Sequence, residues 1–136
     1  MEIKKAFNNK QIIGNMAHIL IIDDDPQMLN MLGQILEREG HEVVKALDGK
    51  EGLKLYRENP TDLVITDIIM PETEGMETIM ELQRDFPDVK IIAISGGGHN
   101  IAESYLYMAR VLGVHKTFAK PIARDELLKA VREILE

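Results

Sequence analysis

Residues 18–29, HILIIDDDPQML, decide the reading of the fold. Four aliphatic residues, 19–22, run directly into Asp23, Asp24 and Asp25 and then a proline. A short continuous aliphatic run of this kind reads as a strand covered on both faces, as strands of parallel sheets are. Beyond it Met28, Met31, Leu32, Ile35 and Leu36 recur at the spacing of an amphipathic helix. Asp25 suits the N-cap of that helix, Pro26 its first position and Gly40 its stop. Two carboxylates, Asp23 and Asp24, are left at the end of a buried strand with no local reason to be there.

The same alternation continues along the chain. HEVVKA, DLVIT, KIIAIS and KTFA read as four further strands. Between them, Asp48 with Glu51 resembles a capping box opening a short helix that closes before Pro60. Met76, Ile79, Met80 and Leu82 mark another helix, and a glycine-rich turn, GGGHN, leads into one over residues 102–112. Leu127, Leu128, Val131, Ile134 and Leu135 mark the last. Strands alternating with helices imply parallel pairing through right-handed crossovers. The expected fold is therefore α/β: a three-layer, doubly wound (βα)5 arrangement around a five-stranded parallel sheet. In such sheets ligands sit at the carboxyl ends of the strands. Those ends carry Asp23 and Asp24, Thr66 and Asp67, Ser95, and Lys120 followed by Pro121.

Composition narrows the function. At 136 residues with 45% hydrophobic content, the chain suits one domain with its own core. It has no cysteine, which removes disulfides and thiolate metal sites. A net charge of -7 disfavours direct nucleic-acid binding. No apolar run approaches a membrane span and no signal peptide is read, so a cytoplasmic location without membrane contact is expected.

Taken together, ILIIDDDP, DLVITDIIMPETEG with Asp67, Met70-Pro71 and Gly75, the Ser95 of IIAISGG, and the KP of FAKPI resemble the receiver domains of two-component response regulators, of the chemotaxis-regulator-like kind. The resemblance covers residues 17–136 and leaves 1–16 as an N-terminal extension or cloning remnant. It implies a flavodoxin-like fold with strand order 2-1-3-4-5. It also implies that Asp67 is the phosphoacceptor, served by Lys120 and Ser95. Asp23, Asp24, Asp67 and the backbone carbonyl of Ile69 would hold Mg2+ or Mn2+, a hard cation that crowded carboxylates attract. The implied phosphodonor is a sensor histidine kinase or a histidine phosphotransfer protein. The implied output is a downstream protein met through the fourth helix, fifth strand and fifth helix. On this reading the protein is no enzyme beyond its own Mg-dependent phosphorylation and dephosphorylation, and the chain, stopping at Glu136, acts by association, either as a stand-alone regulator or as the receiver of a longer protein or hybrid kinase.

Some features depart from the family pattern. Thr117 stands where an aromatic switch residue is usual, with Phe118 one place later. The segment between Ser95 and Lys120 reads as longer than usual, with GGGHNIAESYLY as an extended, movable loop. Ile69 and Gly97 offer no polar side chain to orient a hydrolytic water, so a slowly decaying phosphoryl group is expected. Ala123 stands where a capping residue would suit the last helix.

Other readings explain less. SGGGH lacks the spacing of either nucleotide-binding glycine motif, and DDDPQ lacks the Thr or Val that a haloacid dehalogenase-type phosphohydrolase places after its nucleophile. The start of that stretch imitates an EF-hand without its glycine or closing glutamate. The four histidines share no ligand spacing. The alternative that survives is a phosphate-independent, receiver-like interaction module.

Overall fold

The computed structural model describes residues 16–68, 74–96 and 99–136, without the side chains of 74 and 99–103. Five strands alternate with five helices: β1 His18–Ile22, α1 Pro26–Arg38, β2 Glu42–Ala46, α2 Gly49–Glu58, β3 Leu63–Asp67, α3 Glu74–Asp85, β4 Ile91–Ser95, α4 His99–Val111, β5 Lys116–Ala119 and α5 Arg124–Leu135. All strand pairs are parallel, in the order β2-β1-β3-β4-β5.

Period-two alternation sorts each central strand between two cores. Leu20, Ile22, Val64, Ile68, Ile91 and Ala93 pack with Tyr56, Met76, Ile79, Leu82 and Leu106 from α2, α3 and α4. Ile19, Ile21, Leu63, Ile65, Ile92 and Ile94 pack with Leu29, Leu32, Leu36, Leu127 and Val131 from α1 and α5. Each such side chain taken fully out of water contributes about 1.5–3 kcal/mol, which is why β1, β3 and β4 are aliphatic on both faces.

The α1 stripe differs from the spacing read in sequence. Leu29, Leu32, Gly33 and Leu36 are the buried positions, and Met31 faces solvent. A Cβ at Gly33 would come 2.8 Å from Cε of Lys45 in β2, the far end of a flexible side chain that can shift aside. The helix starts as expected, with Asp25 Oδ1 accepting from the Gln27 N–H at 3.0 Å and Pro26 opening the first turn. It closes in a Schellman motif: the Gly40 N–H donates to Glu37 O, the His41 N–H donates to Leu36 O, and Gly40 has φ of 94°. Gly113, at φ 88°, ends α4 in the same way.

Two further differences bear on the site. Met80, expected in the core, is exposed, while Thr78 is buried in its stead. More consequentially, α4 begins at His99, so residues 99–107 are helical and the extended loop expected there is not formed. β3 also runs one residue later than read, which makes Asp67 its last residue.

Candidate functional site

The register of the sheet brings the strand ends together. Ile22 pairs with Thr66, Asp67 with Ile94, and Ser95 with Ala119. The backbone ladder continues one step past the strands: Asp23 N–H donates to Ala46 O, Ile68 N–H to Ile94 O, and Lys120 N–H to Ser95 O. Asp23, Asp67, Ser95 and Lys120 consequently share one edge of the sheet.

The three consecutive aspartates divide into three roles. Asp23 is 1% exposed, and its Oδ1 accepts from the Asp25 N–H at 2.9 Å. Asp25 caps α1, and Asp24 is exposed. Asp67 is 3% exposed. Lys120 Nζ donates to Asp67 Oδ2 at 2.9 Å and to Asp23 Oδ2 at 3.1 Å, a single ammonium between two buried carboxylates. Burial raises the pKa of Asp23, and the Asp67 charge raises it further, against the Asp25 N–H and Lys120, which lower it. For Lys120, burial alone would lower the pKa; the two carboxylates outweigh it and hold the ammonium charged.

Asp23, Asp24 and Asp67 each offer a carboxylate oxygen, all within 4.8 Å of one another. They are the single group of three or more potential His, Asp or Glu ligands among the described residues. With Lys120 counted, these side chains carry two excess negative charges, an imbalance that fits a divalent cation and hard oxygen donors. Two oxygens bound directly to one Mg2+ lie no more than about 4.2 Å apart, twice the bond length. Oxygens within 4.8 Å of one another are close enough to share one such cation, directly or through its waters.

Ser95 is fully buried at the end of β4, and among the described residues its hydroxyl makes one long bond, to Gly96 O at 3.4 Å. Sequence reasoning places Thr66 at a strand end but gives it no role, and it does not foresee how closely Gly96 and Gly75 are packed. Thr66 Oγ1 donates to Asp67 O at 3.1 Å. A Cβ at Gly96 would come 3.2 Å from Lys120 Cδ, so the glycine clears the path of that side chain. A Cβ at Gly75 would collide with Ile68 Cα and lie 2.6 Å from Asp67 O, so α3 begins directly against the backbone that leaves the acceptor. The motif letter Gly75 was visible in the sequence, but its steric reason was not.

The Ile69 carbonyl, Met70-Pro71 and Gly97 lie outside the described residues, as does the side chain of His99. The departure at β5 is real. Phe118 packs on the α1 and α5 side with Lys116 Nζ 5.7 Å from its ring centre, whereas Thr117 Oγ1 accepts from Arg110 Nη1 of α4 at 3.3 Å. The remaining histidines are elsewhere: His41 Nδ1 accepts from the Ala17 N–H, His115 Nδ1 from the Ile91 N–H, and His18 Nε2 lies 2.9 Å from Glu42 Oε1, all at the opposite edge.

Residues 19–132 match the response regulator receiver domain. The chain belongs to this family. Among curated relatives it is 38% identical over 120 residues to transcriptional regulatory protein GlrR of Escherichia coli, covering 88% of this chain and 26% of that one. It is 35% identical to chemotaxis protein CheY of Bacillus subtilis, covering 88% and 99%. The receiver thus spans about a quarter of the first relative and nearly all of the second. Among solved structures it is similar to response regulator TrrA of Thermotoga maritima in complex with Mg(2+)-BeF, at TM-score 0.77 and 31% identity, covering 88% and 99%. The five-stranded 2-1-3-4-5 sheet is the flavodoxin-like receiver fold. No helix among the described residues is long and apolar enough to cross a membrane.

Proposed function

We propose that this receiver, residues 17–136, is a working phosphoacceptor. A carboxylate oxygen of Asp67 attacks the phosphorus of a phosphohistidine on a sensor kinase or phosphotransfer protein. The P–N bond breaks, the histidine nitrogen takes a proton, and an aspartyl phosphate forms. The observation that carries the reading is the contact of Lys120 with both Asp23 and Asp67 in a buried, acid-rich corner.

Phosphoryl transfer asks a protein mainly for alignment and charge neutralisation. Lys120 holds an ammonium against Asp67 Oδ2 and, once the phosphoryl group arrives, follows its oxygens. Ser95, with one weak bond to give up, turns its hydroxyl to the same oxygens. Asp23, Asp24 and Asp67, with the Ile69 carbonyl, would hold Mg2+ or Mn2+, which supplies positive charge beside the phosphoryl oxygens. The Mg(2+)-BeF carried by TrrA supports that assignment. The protein turns over no other substrate and works in the cytoplasm, its output passing to a protein partner across α4, β5 and α5. Tyr107, Met108 and Val111, exposed on α4, support that surface. The absence of a polar side chain at Ile69 and Gly97 supports a long-lived phosphoryl group.

The test is intact mass after incubation with acetyl phosphate, with and without Mg2+, beside Asp67→Asn. One phosphoryl increment that requires Mg2+ and is missing in the variant is the expected result. No increment under conditions that label another receiver would reassign the chain to a phosphate-independent interaction module.

A further inference from the structure

Thr66 is a polar exception on an aliphatic face. Period-two alternation puts it beside Val64 and Ile68 on β3, and it pairs with Ile22 of β1 and Ala93 of β4, all four in the core beneath α2, α3 and α4. Thr66 is fully buried. A valine has nearly the same shape and would bring no polar atom into this core, whereas a buried hydroxyl gives up its water and has to be bonded. Its bond goes to Asp67 O at 3.1 Å. The reason for a hydroxyl here therefore lies in the main chain of the acceptor.

That carbonyl belongs to the peptide group joining Asp67 to Ile68. The other end of the same group is also tied, since the Ile68 N–H donates to Ile94 O at 2.9 Å. A peptide group is planar, so holding its oxygen and its N–H fixes the plane. The first turn of α3 closes the remaining side, because a Cβ at Gly75 would lie 2.6 Å from the same oxygen. The plane is thus set where β3 ends, at the residue whose Oδ2 accepts from Lys120 Nζ at 2.9 Å. A nucleophile has to meet phosphorus in line, and a misplacement of about 1 Å costs about a hundredfold in rate.

We infer that Thr66 is a positioning residue for Asp67: its hydroxyl holds the Asp67–Ile68 peptide group, and with it the backbone from which the carboxylate projects. The inference rests on Asp67 being the phosphoacceptor. Lys120 orients the carboxylate from its oxygen end, and Thr66 from its main-chain end.

The experiment uses the full chain and variants that separate packing from hydrogen bonding. Thr66→Val and Thr66→Ala lack the hydroxyl; Thr66→Ser keeps it and loses the methyl, as alanine does. Labelling by acetyl phosphate with Mg2+ should slow about fivefold or more in the valine and alanine variants, the effect of one lost hydrogen bond, and stay near the wild-type rate in Thr66→Ser. Wild-type rates without the hydroxyl, or rates that follow the urea midpoint instead of the hydroxyl, would overturn the inference. The carboxyl carbon resonance of Asp67 and the amide exchange of Ile68, recorded without donor or divalent cation, should change in Thr66→Val and return toward wild type in Thr66→Ser. A wild-type chain that takes no label would overturn the phosphoacceptor reading, while the resonances still decide the placement of Asp67; wild-type-like values in Thr66→Val would overturn that placement.

Discussion

Lys120 reaches Asp67 and Asp23 with one ammonium, and both carboxylates are almost wholly buried. Removing the cation leaves two like charges facing each other in a low-dielectric corner. Breaking a buried ion pair costs about 3–5 kcal/mol, and Lys120 is itself a quarter exposed. Lys120→Ala should therefore lose about 3 kcal/mol in urea denaturation without divalent cation, and recover part of it when Mg2+ is added. Wild-type-like stability of the variant in chelator would show that the corner is not under this electrostatic load. The participants were readable from residue type at each strand end. Their contact was not, because Asp23 and Lys120 are 97 positions apart and meet only through the sheet order. Gly96 and Gly75 were unreadable for a related reason: what they exclude is a collision with residues distant in sequence or in another element.

Among the helices, capping is uneven. α1 and α2 begin on Asp25 and Asp48, each accepting a backbone N–H; Glu51 returns a bond to the Leu47 N–H. α5 begins on Ala123 with no side-chain bond. Ala123→Ser should add about 0.5–1 kcal/mol, read as a higher urea midpoint with an unchanged slope. A drop in midpoint would mean that the backbone at the start of α5 does not suit a cap. Caps and strands follow local rules, which is why the sequence displays them. Helix phase does not: α1 carries apolar residues at 28, 29, 31, 32, 35 and 36, enough for two stripes, and only the shape of the sheet beneath chooses Leu29, Leu32 and Leu36. The start of α4 escaped for the opposite reason, since a glycine run reads as a turn and the helix begins immediately after it.

Across the whole molecule, stability should depend on pH in two windows. His41 is buried and uses Nδ1 as an acceptor for the Ala17 N–H, and burial lowers its pKa. The unfolded chain therefore takes up a proton that the folded chain refuses, so stability present above about pH 6.5 falls as the pH drops below it. Asp85 is held at about 2 by Arg84 and then Arg57, which also ties α2 to α3 through Glu81. Its folded pKa is below the unfolded one, so its contribution is intact above about pH 4 and is lost on approaching pH 2. Urea midpoints at about pH 7.5 and 5.5, compared between wild type and His41→Asn, isolate the first window. An identical step in both proteins would remove His41 as its source.

The division of each central strand between two cores has a consequence for how such a chain can change. Ile21 and Ile22 are neighbours in sequence, yet they belong to different helix layers and share no packing partners across the sheet. Substitutions remote from one another and without common neighbours add. The α1–α5 side can accordingly drift, or be redesigned, without renegotiating the α2–α4 side. Such a protein can acquire new partners on one flank while the other keeps its history.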